Sequence, residues 1–86
     1  MVTMQEVSRR TKRTRDGEVF GSLIRKLRKE RGFTQELLAE RTELSVSYIG
    51  FIERGENVPT LTIVLNLAEA LDVDAADLVR EVGRRR

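Results

Sequence analysis

The chain has 86 residues, 40% of them hydrophobic and 35% charged, which is room for one small domain and too little for a large enzyme. It contains no Cys and no His, so disulfides, thiolate nucleophiles, imidazole bases and the usual zinc cages drop out together, and no metal or cofactor is expected. The formal charge is +2, from 16 Lys and Arg against 14 Asp and Glu, but the signs are segregated: residues 1–33 are basic and residues 34–86 acidic. A basic arm and basic first helix on a near-neutral body fit a polyanionic partner, and equally a solvated tail.

Residues 1–16 show no helical period and read as a flexible basic arm carrying Arg9, Arg10, Lys12, Arg13 and Arg15. It has no apolar central stretch of the kind a signal peptide needs, and no run in the chain approaches the roughly eighteen apolar residues of a membrane span. The expected location is the cytoplasm, at the nucleoid, with no membrane partner. Asp16-Gly17 is a turn or cap signal, and the ordered domain is expected over 17–83, its first helix beginning near Glu18. Val19, Phe20, Leu23, Ile24 and Leu27 then recur at three- and four-residue steps, and Gly32 stops the helix.

Thr34 is a good N-cap for a second helix, Gln35 to about Thr42, with Leu38 and Ala39 inward; Ser45 caps a third, Val46 to Arg54, closed by Gly55. Only Glu43 and Leu44 separate them, too tight a turn for an antiparallel pair. Pro59-Thr60 opens a fourth helix running to Leu71, with Leu61, Val64, Leu65, Ala68 and Leu71 on one stripe. Asp74-Ala-Ala-Asp77 reads as a capping-box variant for a fifth helix bearing Leu78, Val79 and Val82 and ending at Gly83. Residues 84–86 form a frayed basic tail.

The fold class is therefore all-α, five helices with a tight bihelical unit at the second and third. The runs Thr34-Gln-Glu-Leu-Leu-Ala39, Leu44-Ser-Val-Ser-Tyr-Ile49, Ile52-Glu-Arg-Gly55, Pro59-Thr-Leu61 and Leu67-Ala-Glu-Ala-Leu71 resemble the Cro/phage-repressor (XRE) helix-turn-helix family over roughly residues 18–80. The resemblance implies a phage-repressor-like DNA-binding domain whose third helix enters the major groove of double-stranded DNA, usually as a homodimer on a palindromic operator. Within the family the chain is similar to stand-alone regulators such as restriction-modification controller proteins.

Winding the third helix at about 100° per residue puts Ile49 and Ile52 on the buried side and Val46, Ser47, Gly50, Phe51 and Arg54 on the other, as candidates to meet bases. Phe51 there either contacts a thymine methyl or sugar edge, or folds down onto a neighbouring helix. Without long amides on this face direct readout should be modest, leaving a share to DNA shape and to the arm, on the backbone or in the minor groove. Phosphate contacts are expected from the free N–H groups at the starts of the second and third helices, near Thr34, Gln35 and Ser45, and from Tyr48, Asn57 and Arg28. The family match makes Gln35 a phosphate ligand and pairs Arg28 with Glu53, a structural ion pair that can also hold Arg28 toward the duplex.

Two positions depart from the family pattern. Glu43 stands where a Gly usually makes the turn, and Leu37 occupies a usually polar site of the second helix. A dimer would use Val73, Ala76, Leu78, Val79 and Val82, unless these close the monomer's own core. The leading function is a sequence-specific transcriptional regulator, a repressor or autoregulator, with a protein partner such as a toxin or RNA polymerase left open. The alternative is an antitoxin-type or adaptor module, which needs neither the bare third helix nor the arm. An enzyme is disfavoured, because Asp72, Asp74 and Asp77 are better explained as caps around a helix start.

Overall fold

The computed structural model describes residues 14–86. Among them are five helices and no strand: α1 (Arg15–Glu30), α2 (Gln35–Thr42), α3 (Val46–Glu53), α4 (Leu61–Ala70) and α5 (Ala75–Arg84). Each opens on a side-chain oxygen that accepts an otherwise unpaired backbone N–H, as the spacing of Ser, Thr and Asp dictates. Thr34 caps α2 through the Leu37 N–H, Ser45 caps α3 through Tyr48, Thr60 caps α4 through Ile63 and Asp74 caps α5 through Ala76. Asp77 does not complete a capping box; it pairs with Arg80 at 2.6 Å.

The start of α1 differs from the expectation. Thr14 is the cap, accepting from Gly17 N at 2.9 Å, so Asp16-Gly17 lies inside the first turn and Arg15 belongs to the helix, not to the arm. Asp16 and Glu18 sit where the positive end of the helix dipole favours acids. The basic tail is tied as well: α5 includes Arg84, Arg15 Nε donates to the Arg85 carbonyl at 3.0 Å, and Arg86 grips both Asp16 carboxylate oxygens. The hydrogen bond from Arg86, together with the charges of Arg86 and Arg15, holds the Asp16 carboxyl below its ordinary pKa.

Four helices end by one device, a left-handed residue followed by a hydrogen bond back across the last turn. Glycine takes that place after α1 and α3, at Gly32 and Gly55, but after α2 and α4 it falls to Glu43 at φ 60° and Asp72 at φ 56°. Leu44 N still reaches Ala39 O at 3.0 Å and Val73 N reaches Ala68 O at 2.9 Å. The turn between α2 and α3 thus keeps its shape with an acid in the glycine place, at a steric cost of about 1–2 kcal/mol.

The core is Phe20, Ile24, Leu38, Ala39, Ile49, Ile52, Leu67, Ala68, Leu71 and Leu78. Around it α1 packs on α3 and α5, α2 on α3 and α4, and α4 on α5. Two expectations change here. Leu78, assigned to a dimer face, is buried in the monomer's own core. Leu61 and Leu65, assigned to the buried stripe of α4, are 70% and 49% exposed. Most of α4 is apolar, so its period permits two stripes, and neighbouring helices cover the one through Leu67, Ala68 and Leu71. Gly21 lets α1 press against the backbone of α3: a Cβ there would lie 2.1 Å from the Ile52 carbonyl oxygen and 2.8 Å from that of Glu53.

Gly21→Ala should therefore destabilise the fold by about 3 kcal/mol or more in denaturant unfolding, because α1 and α3 must separate. Gly83→Ala, where an added Cβ meets nothing within 4 Å in the last turn of α5, should gain up to about 0.5 kcal/mol. Glu43→Gly should raise stability by about 1 kcal/mol through relief of the left-handed turn, seen as a thermal midpoint several degrees higher.

Candidate nucleic-acid interface

The position of α3 is set by a charged cluster at its buried side. Arg28 Nε and Nη2 donate to Glu53 Oε2 and Oε1 at 2.7 and 3.1 Å, a bidentate pair whose side chains are 10% and 3% exposed. Arg28 Nη1 reaches the Phe33 carbonyl at 2.8 Å, and Gln35 Nε2 donates to Glu53 Oε1 at 3.0 Å. One carboxylate thereby joins α1, the α1–α2 loop, the start of α2 and the end of α3. The expected ion pair is present; Arg28 is buried and all three of its guanidinium nitrogens donate inside the fold, although it also lines the cleft beside the start of α2. The Gln35 amide likewise turns inward, which leaves its backbone N–H as the group facing out at the start of α2.

On the opposite side of α3, Val46, Ser47, Phe51 and Arg54 are exposed. Phe51 is 43% exposed, and the Arg54 guanidinium lies 5.3 Å from its ring centroid. Gly50, expected to face bases, is buried, because the Arg54 side chain lies over it. Arg54 Nε also donates to Glu56 Oε2 at 2.8 Å.

Around this face Thr34 and Ser45 use their hydroxyl oxygens as caps, leaving each hydroxyl hydrogen free to donate to an anion. Tyr48 is half-buried and donates to Asn57 Oδ1 at 3.0 Å, so these two residues brace each other at the edge of α3. Burial pushes the Tyr48 phenol pKa up and keeps it a donor. Arg9, Arg10, Lys12 and Arg13 lie outside the described residues, while Arg15 is the first residue of α1.

Two contributors escaped the sequence reading. Exposed Arg25 lines a cleft with Thr34, Gln35, Glu36 and Arg54, adding a cation beside the start of α2; the signal was its place one turn before Arg28. Arg31 donates through Nε to the Leu71 carbonyl and so ties the end of α1 to the end of α4. Nothing in local periodicity marks that contact.

A helix-turn-helix family model matches residues 24–78, and the chain belongs to that family, one of DNA-binding transcriptional regulators rather than enzymes. It is 40% identical over 63 residues to the HTH-type transcriptional regulator YazB of Bacillus subtilis, covering 73% of this chain and 91% of that protein. It is 44% identical over 55 residues to the regulator RamB of Mycobacterium tuberculosis, but there 64% of this chain spans only 12% of the relative's length. The crystal structure of the restriction-modification controller protein C.AhdI from Aeromonas hydrophila superposes with a TM-score of 0.73 at 40% identity, over 76% of this chain and 98% of that one. The family read from the motifs is thus the family found.

Glu53→Ala should cost about 3–5 kcal/mol in chemical unfolding, because it leaves Arg28 a buried cation without its counter-charge. Glu53→Ala combined with Arg28→Met should recover part of that loss, since removing both charges removes the stranded one.

Proposed function

We propose that this protein binds a two-fold-symmetric operator in double-stranded DNA as a homodimer and represses transcription there, its own gene included. The observation that carries the reading is the bare outer side of α3, where Val46, Ser47, Phe51 and Arg54 stay exposed while Ile49, Ile52 and Glu53 on the other side are packed away. An adaptor also needs an exposed face, but nothing requires it to lie on the helix that follows the tight turn, with an arginine at its end.

In this reading α3 lies in the major groove with Val46, Ser47, Phe51 and Arg54 toward the bases. The N–H groups at the starts of α2 and α3, with the hydroxyls of Thr34 and Ser45, take phosphates on either side, and Arg25 adds charge to the α2 end. Tyr48 and Asn57 brace the flank. The arm residues Arg9, Arg10, Lys12 and Arg13 follow the backbone or enter the minor groove, which offsets the acidic body.

The dimer face is redrawn from the sequence reading. Val73, Ala76, Val79 and Val82 stay in it, Leu78 leaves it for the core, and Val58, Leu61 and Leu65 join Val79 as exposed apolar side chains, Val79 being 58% exposed. These lie on α4, α5 and the segment before α4, so a two-fold contact there uses none of the candidate base-reading residues of α3 and predicts half-sites about one helical turn apart.

Enrichment of random duplexes at defined salt should return a two-fold-symmetric motif, with a log–log salt slope of about 0.9 for each phosphate contacted. Val79→Glu should give a monomer in sedimentation, with operator affinity lowered about a hundredfold through loss of the linked second half-site. No enriched motif at any salt would favour the adaptor alternative.

A further inference from the structure

Arg54 stays exposed at the end of α3 but folds back along the outer face. A Cβ on Gly50 would lie 2.9 Å from its Nη1, the ring centroid of Phe51 is 5.3 Å from its Cζ, and its Nε is held by Glu56 at 2.8 Å. Two contacts, the Phe51 ring and Glu56, together with the space left by Gly50, therefore place one exposed guanidinium beside one exposed ring. The missing side chain of Gly50 supplies the room, and Glu56 takes the Nε edge, leaving the end-on pair Nη1 and Nη2 for a ligand. An arginine fork matches the O6 and N7 acceptors of guanine, and an aromatic ring matches the C5-methyl of a pyrimidine. Bases along one strand follow at about 3.4 Å, so neighbouring bases fall within reach of these two neighbouring groups.

We propose that Phe51 and Arg54 together form a subsite for a 5-methylpyrimidine followed by guanine, with Gly50 as the seat of the guanidinium and Glu56 as its positioning residue. The proposal rests on the reading that α3 enters the major groove. Thymine and 5-methylcytosine carry their methyl group at the same place in that groove, so the subsite accepts a T-G step or a methylated C-G step and disfavours the unmethylated C-G step. Binding therefore responds to cytosine methylation wherever the operator places C-G at this position.

The test uses the full chain and the duplex it selects from random sequence, remade with T-G, U-G, C-G or 5-methylcytosine-G at the candidate step. Loss of the methyl in U-G should weaken binding about three- to fivefold relative to T-G, and methylating C-G should restore a similar factor. Phe51→Ala should erase both differences, and Arg54→Ala should cost about five- to 150-fold while levelling guanine against adenine at that position. Both side chains are exposed, so neither variant threatens the fold. A symmetric motif lacking any such step, or U-G bound as tightly as T-G, overturns the subsite and leaves α3 in the groove. Failure to select any motif overturns the groove reading and the subsite with it.

Discussion

The carboxylate of Glu53 is the point on which the arrangement of helices depends. Two nitrogens of Arg28 and the amide of Gln35 converge on it, and the remaining Arg28 nitrogen closes on the Phe33 carbonyl. A buried pair of this kind contributes little net stability compared with well-packed apolar side chains. Its contribution is direction, because a bidentate arginine accepts one geometry where a leucine would accept many. The last turn of α1, the first of α2 and the last of α3 are thereby held in one relation.

That relation decides which groups are left for a ligand. With Gly21 drawing the Ile52 backbone against α1 and Glu53 turned inward, α3 has one side committed and one side bare. Arg28 is engaged in making the relation, so in the proposed DNA complex phosphate binding falls to backbone N–H groups, cap hydroxyls and Arg25. A family member with a largely acidic body can therefore approach a polyanion by means of dipole ends placed by the fold. The same geometry gives Gly50 its meaning: it is bare of side chain so that Arg54 can lie across it.

Much of this was legible in the sequence. The four caps Thr34, Ser45, Thr60 and Asp74 are local chemistry, and each begins a helix where expected. The inward and outward sides of α3 follow from helical winding, except at Gly50, which winding turns outward and the Arg54 side chain covers. What escaped was what depends on neighbours. Leu61 and Leu65 were misplaced because α4 is apolar on more than one side and only α2 and α5 choose between stripes. Leu78 was misplaced because a residue facing a partner and one facing its own core have the same period. Arg28 was legible as Glu53's partner through the family motif, but the contact to Phe33 that completes its burial depends on the loop path. Thr14 was passed over as the first cap because Asp16-Gly17 is the stronger local signal, and the tail that clasps Asp16 comes from the far end of the chain.

The central claim is that the cluster around Glu53 presents the outer side of α3, flanked by the starts of α2 and α3, to the groove of a duplex. A two-dimensional amide NMR titration of the protein with its selected duplex tests this most directly. The account predicts the largest shifts at Val46, Ser47, Gly50, Phe51 and Arg54, with Thr34 and Gln35 moving too and the exposed sides of α4 and α5 still. Shifts centred on α4 and α5, with the α3 amides unmoved, would contradict it.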